Sequence, residues 1–218
     1  MVQYDFGKTI EEGKFIKTRS LDKPPMVLRS AISKLRATHE IEGSAIGEYV
    51  SKMLESKPRM REKFKYQGIK LDQLFEANYD HRKSGRSCEG CDKRHLLTRR
   101  SRDTSDPVIH YGLIGSANQV MRHGATREKL RQEEGILCFE MEAAGLMDNF
   151  PCLIIRGICD YSDTHKNKRW QPYAAAVAAA YAKELLETMP SVQVESTLVA
   201  ADRIQVSLFY YLLVIIWC

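Results

Sequence analysis

At 218 residues, with 44% hydrophobic and 28% charged residues, the chain has the make-up of a globular protein and the length of one α/β domain. Basic residues exceed acidic ones by 33 to 28, and this net +5 gathers in 82–102. That is a mild bias in one loop, and no nucleic-acid partner is expected from it. The opening Met1-Val-Gln-Tyr-Asp-Phe lacks the basic-then-apolar pattern of a secretory signal.

In chain order, Asp22-Lys-Pro-Pro predicts the opening of a helix, with Asp22 or Lys23 as its cap and the prolines in its first turn. Val27, Leu28, Ala31, Ile32 and Leu35 then recur at helical spacing. A second helix is expected from near Ser44, with Ile46, Tyr49, Val50, Met53 and Leu54 on one face, ending before Pro58. Residues 84–107 are polar and charge-rich, with Gly and Ser, and read as a long surface insertion.

Beyond it the pattern becomes regular. Val108–Ile114 is a β-rich run, and Thr126–Glu134 a short charged helix with Thr126 as cap and Gly135 as stop. Ile136–Phe139 reads as a buried strand and Glu142–Asn149 as a helix. Cys152–Ile158 is a strand, apolar except for Arg156, and Gln171–Met189 a long Ala-rich helix ending at Pro190. The alternation predicts an α/β fold with a mostly parallel or mixed sheet flanked by helices. One domain over 1–190, with an insertion at about 80–107, is followed by an atypical apolar tail over 191–218.

Leu208–Cys218 is wholly apolar but shorter than the ~20 residues of a membrane span, so no membrane partner is expected. A spurious or truncated end is the favoured explanation, ahead of a tail anchor or a docking strand. Of the six cysteines, Cys138, Cys152 and Cys159 sit in apolar runs, where a reduced thiol acts as a small hydrophobe. A reducing, cytoplasmic setting fits this usage.

The most informative segment is Gly135-Ile-Leu-Cys-Phe-Glu-Met-Glu-Ala-Ala-Gly. Glu140 and Glu142 stand where a strand turns into a helix, the edge at which parallel sheets bind ligands. A carboxylate there can accept from two neighbouring hydroxyls, as a ribose diol requires. An acid at a helix start is also favoured for structural reasons alone, and the residues leave both readings open for Glu142. Asp160, closing Cys152-Leu-Ile-Ile-Arg-Gly-Ile-Cys-Asp, would be a second carboxyl at that edge and a candidate general acid. In Asp160-Tyr-Ser-Asp it equally suits a turn. Gly157 permits close backbone approach.

The pair of motifs, Glu-Met-Glu-Ala-Ala-Gly after one strand and Arg-Gly-Ile-Cys-Asp ending the next, resembles the nucleoside phosphorylase superfamily. That superfamily includes purine and uridine phosphorylases and methylthioadenosine/adenosylhomocysteine nucleosidases. The resemblance runs from about Val108 to Pro190 and is nearest to the form found in fungal multidomain proteins. It implies a nucleoside phosphorylase-like fold, here incomplete at the N-terminus. It also implies cleavage of the N-glycosidic bond of a purine nucleoside or nucleotide, by phosphorolysis or hydrolysis.

In that reading Glu142 holds the ribose hydroxyls, with Glu140 beside it, and Met141 packs on the sugar. Asp160 protonates the purine at N7 as the bond breaks, and carboxylates favour the oxocarbenium-like sugar. Ser116 and Asn118, of Gly115-Ser-Ala-Asn, would line the base pocket. Departures from the family touch purine specificity: Asn118 stands where some members have Asp, Val120 where some have Phe, and Cys159 where Ser is commoner.

The family's first half supplies a Gly-rich strand end, phosphate-binding residues and, in nucleosidases, the Glu that activates water. No Gly-Gly cluster precedes residue 80, so the chain reads as starting partway through the fold and is expected to be inactive alone. No cofactor is expected, with phosphate as a possible co-substrate. The partners implied are a nucleoside or nucleotide ligand and further copies of the complete domain. The alternative is a non-catalytic nucleoside-sensing or interaction module of a multidomain signalling protein.

Weaker signals remain. Cys88-Glu-Gly-Cys91, near His81 and His95, has the spacing of a zinc half-site, but a single Cys-x-x-Cys assigns no metal. His165 lies just beyond Asp160 and could approach the site, but reads first as a surface-loop histidine. Arg156 is expected to pair with a carboxylate, Glu140 being one candidate, and Trp170 to anchor the loop before the last helix.

Overall fold

The computed structural model describes residues 1–18, 21, 23–81, 87–147 and 151–189, together with the backbone of 212–215. The chain opens with a short strand, β1 (Val2–Gln3), and an antiparallel pair, β2 (Gly7–Thr9) and β3 (Phe15–Lys17). Helices α1 (Met26–Glu42), α2 (Ile46–Ser56) and α3 (Arg61–Phe64) follow. The C-terminal half alternates: β4 (Leu113–Ser116), α4 (Gly124–Glu134), β5 (Ile136–Glu140), α5 (Ala143–Met147), β6 (Leu153–Arg156) and α6 (Gln171–Thr188). A further strand, β7 (Leu212–Ile215), pairs in parallel with β6.

The sheet order β1-β4-β5 is parallel throughout, so the expected α/β class with a parallel sheet and flanking helices is the observed one. Register sets Gln3 beside Ser116 and Ser116 beside Glu140, which aligns three strand ends at one edge.

The helical stripes meet in one core. Leu28, Ala31 and Leu35 of α1, Ile46 and Val50 of α2, and Ala178, Tyr181 and Leu185 of α6 form one buried cluster with Ile155 of β6. Burying each large aliphatic contributes roughly 1.5–3 kcal/mol, and the alanines of α6 let three helices approach. At the α2 N-terminus Ala45 offers no side-chain cap, and Ser44 accepts the Ile46 N–H at a long 3.4 Å. Glu184 of α6 accepts the Ala45 N–H at 2.8 Å and pairs with His39 at 3.1 Å. A tertiary contact thus reinforces a weak local one.

Several boundaries differ from expectation. Asp22 lies outside the described residues, and α1 starts at Met26 behind Pro25, with no side-chain cap. Pro25 is extended (ψ 147°) and its ring disfavours a helical Pro24, so the prolines precede the first turn. The strand expected at Val108–Ile114 forms only from Leu113, because Ile109 and Tyr111 before it turn to the helices. Ile109 joins the core cluster, and Tyr111 meets the Tyr181 hydroxyl at 3.4 Å.

His123, not Thr126, caps α4, its ring nitrogen accepting the Thr126 N–H at 3.3 Å. Gly135 ends that helix in the left-handed region (φ 69°), as expected. The predicted end of α5 at 148–149, the 84–86 part of the insertion and nearly all of the 191–218 tail lie outside the described residues. Among the described residues no helix is long and apolar enough to cross a membrane.

The insertion is not simply a solvated loop. Backbone bonds from Glu76 to His95 and from Leu97 to Leu74 tie it down in antiparallel fashion. Phe75, fully buried, pins the same segment.

Candidate functional site

The ends of β4 and β5 deliver Ser116 and Glu140, both buried. One oxygen of Glu140 accepts the N–H groups of Glu142 and Ala143 at 2.9 and 2.8 Å, and Ser116 accepts that of Ala144 at 3.2 Å. Three successive amides at the head of α5, which no preceding turn can satisfy, are therefore held by two strand-end side chains. The other oxygen of Glu140 is buried without a hydrogen-bond partner.

Holding those amides projects Met141 and Glu142 outward, 39% and roughly half exposed. The Glu142 carboxylate accepts the Met141 N–H at 3.2 Å and faces Arg156 of β6 at 3.7 Å. Arg156 pairs with a carboxylate as expected, and the partner is Glu142 and not the candidate Glu140, because Glu140 is turned in to cap α5. Since Arg156 ends β6 and Glu142 follows β5, the carboxyl ends of the two strands lie at a common edge.

Asp160 follows β6 across Gly157. A Cβ on Gly157 would stand 2.0 Å from the Ala174 carbonyl oxygen, so the absence of a side chain brings this loop against α6. The Asp160 side chain is nearly buried. It pairs with Lys166 at 3.2 Å, accepts the Ser162 N–H at 2.9 Å and meets the Cys159 thiol at 3.3 Å. Ser162 adopts a positive φ of 52°, which the side-chain-to-backbone bond from Asp160 supports. The turn-forming role and the place at the strand edge therefore coexist in one residue.

A cavity of about 930 Å³ opens between β5 and β6, at the upper end of the range of small-molecule sites. Its lining includes Phe139, Arg156, Asp160, Asp163, His165 and Arg127. Of the predicted site residues, Asp160 lines this cavity. Glu142 reaches its rim through Arg156, whereas Ser116, Asn118, Glu140 and Met141 stand outside the lining. The Asn118 N–H is held by Asp5 at 2.7 Å, which fixes the loop after β4 to the bend that follows β1.

Sequence reasoning missed the polar groups that surround Asp160. Arg127 of α4 donates to the Tyr161 carbonyl at 2.6 Å and pairs with Asp163 at 3.5 Å. The Tyr161 hydroxyl donates to Asp72 at 2.5 Å and receives Arg99 at 2.5 Å. Burial, reinforced by the Asp72 carboxylate, pushes the Tyr161 hydroxyl up to about 12. Only Tyr161 and Asp163 had a signal, their adjacency to Asp160; Asp72 and Arg127 arrive from distant segments.

His165 is not a surface histidine. It is buried, stacked on Phe75 with ring centroids 4.2 Å apart, and burial holds its pKa below the usual range. Trp170 behaves as expected, its indole N–H donating to the Leu71 carbonyl at 3.3 Å and its ring meeting Tyr66 and Tyr173.

With this geometry in view, the chain's likenesses can be placed on it. A nucleotide-binding leucine-rich repeat (NLR)-like protein of Hyaloscypha variabilis is 45% identical over 186 residues, covering 85% of this chain and 18% of that protein. The 5'-methylthioadenosine/S-adenosylhomocysteine nucleosidases of Mycobacterium bovis and Mycobacterium tuberculosis are each 29% identical over 89 residues, 38% of this chain and 35% of theirs. The chain thus spans under a fifth of the first relative and about a third of the other two. It resembles a segment of a much longer fungal protein and, more weakly, part of a nucleosidase. No family model matches the chain, and no solved structure matches it.

Proposed function

We propose that this domain binds a purine nucleoside or nucleotide at the carboxyl ends of β5 and β6, and that the site is built for cleavage of the N-glycosidic bond. The supporting observation is Asp160, a nearly buried carboxyl lining a ligand-sized cavity at the edge where Glu142 and Arg156 meet. The nucleosidase likeness adds to it.

In this reading Asp160, freed of Lys166, takes a proton from solvent and passes it to the purine N7, so the base leaves as a neutral molecule. Lys166 must turn away from the carboxyl as the base enters. Glu142 swings from Arg156 to the ribose hydroxyls, and its charge favours the cationic sugar. The nucleophile, water or phosphate, has to be activated by groups other than these, so binding and turnover are separable.

The second reading is a nucleoside-sensing module without turnover, within a signalling protein. The engagement of Asp160 by Lys166 and the NLR-like relative favour it. The discriminating experiment is purine release from adenosine, inosine and methylthioadenosine, with and without phosphate, by this chain and by a longer protein containing it. Release that Asp160→Asn abolishes supports the enzyme. Saturable binding without release in either polypeptide supports the sensor, and neither binding nor release sinks both.

A further inference from the structure

Away from the strand ends, one group of soft metal ligands stands out among the described residues. His81, Cys88 and Cys91 each offer a ligand atom within 4.8 Å of the other two. A tetrahedral zinc ion with Zn–S near ~2.3 Å and Zn–N near ~2.0 Å needs its ligand atoms roughly 3.3–3.8 Å apart, so closure takes side-chain shifts of about 1 Å. The backbone already supplies the knuckle. Cys91 N–H donates to the Cys88 carbonyl at 3.2 Å, a tight turn that projects both thiols from one loop.

His81 is fixed from two sides. Its backbone N–H donates to Thr164 at 2.8 Å, and its Nε2 lies 3.1 Å from the Ser87 carbonyl. A proton on that nitrogen leaves Nδ1 with the lone pair, the arrangement by which a backbone carbonyl commonly orients a metal-bound imidazole.

The second, independent observation is His165. Its side chain is 4% exposed, and both ring nitrogens are buried without a hydrogen-bond partner. Each such unsatisfied group costs about 1–3 kcal/mol, which is unusual enough to ask what completes it. The His165 ring nitrogens lie outside the 4.8 Å group of the other three. The ring centroid is 5.4 Å from that of His81 and the His165 carbonyl 3.8 Å from the Cys88 thiol, so a turn of the ring is what brings Nε2 to the ion. Asp163 stands 3.7 Å from Nδ1, a small side-chain shift short of accepting its proton, which leaves Nε2 for a metal.

We propose that His81, Cys88, Cys91 and His165 bind one structural zinc ion that staples the insertion to the loop after β6. Two thiols and two imidazoles form a closed, borderline-soft set that suits zinc and leaves no open position for substrate. Cys88 and His165 also line the cavity that Asp160 lines, so the ion would fix one of its walls. None of these four is a residue of the nucleoside reading, and the two stand or fall separately.

The test is metal content by elemental mass spectrometry on the 218-residue chain, purified without a metal-binding tag under reducing conditions. One zinc per chain is expected, with the Cys88 and Cys91 thiols shielded from a thiol reagent until a chelator is added. Cys91→Ser should lose the ion, and His165→Gln should weaken zinc retention by tenfold or more. Cobalt in place of zinc should give the intense visible bands of a tetrahedral thiolate site. Metal-free wild-type protein that is folded and whose two thiols react at once without chelator overturns the proposal, even if the variants do not fold. A Cys88–Cys91 disulfide in the reduced preparation does the same, and full zinc affinity in His165→Gln removes the fourth ligand.

Discussion

The guanidinium of Arg156, 6% exposed at the end of β6, faces the Glu142 carboxylate at 3.7 Å from the head of α5. This single pair joins the two sequence motifs across the mouth of the cavity. One guanidinium nitrogen, Nη1, has no hydrogen-bond partner, so the pair is held by charge at a distance rather than by a closed fork. Glu142 is therefore retained near the site but remains free to turn.

That arrangement separates stability from ligand binding. Arg156→Met replaces a buried charge with an apolar chain of similar volume and leaves Glu142 half in water. The expected stability change is within about 1 kcal/mol in either direction. Nucleoside affinity should fall by about tenfold, ~1.4 kcal/mol, because Glu142 is no longer kept at the rim. Urea denaturation and equilibrium binding on the same preparations check both halves.

Gly157 has the opposite profile. The Cβ of Gly157→Ala would meet the Ala174 carbonyl oxygen at 2.0 Å, a backbone atom that cannot turn aside. The variant should lose at least ~1–3 kcal/mol as the loop is forced off α6, seen as a lower urea midpoint. Wild-type stability in Gly157→Ala would contradict the packing of α6 against β6.

Glu184 caps a helix to which it does not belong. Glu184→Ala removes the acceptor of the Ala45 N–H and the partner of His39, and should cost about 2 kcal/mol. Faster amide exchange concentrated at the start of α2 would be its signature.

Tyr161 sets an alkaline limit. In the folded chain burial and Asp72 keep its proton up to about 12, whereas an unfolded tyrosine loses it near ~10. Between those values the unfolded state binds fewer protons, so the Tyr161 contribution is complete below about pH 10 and declines as pH rises through this window. Urea midpoints at about pH 9 and about pH 11 should differ less in Tyr161→Phe than in the wild type.

Much of this architecture was legible because it is written in local periodicity. The stripes Leu28–Leu35 and Ile46–Val50, the Gly135 stop and the alternation of strand and helix after residue 112 all rest on neighbours in sequence. The misread segments are those in which distant contacts outweigh local preference. Val108–Gly112 has strand composition but sends Ile109 and Tyr111 to the helices, and Glu140 turns inward because α5 needs its amides satisfied. His165 shows the same limit: nothing beside it in sequence reports that Phe75, ninety residues earlier, covers its ring. Asp160 and Glu142 could be named from their motifs, while Asp72, Arg127 and Lys166, which tune the cavity, could be found only in three dimensions.

The central claim is that Asp160 and Glu142 serve one nucleoside site. It is tested most directly by calorimetric titration of adenosine into the wild-type chain, Asp160→Asn and Glu142→Gln. The account predicts saturable one-to-one binding by the wild type, weakened about tenfold or more in each variant, with ribose-free adenine insensitive to Glu142→Gln. Absence of saturable binding, or affinities in both variants equal to that of the wild type, would contradict it.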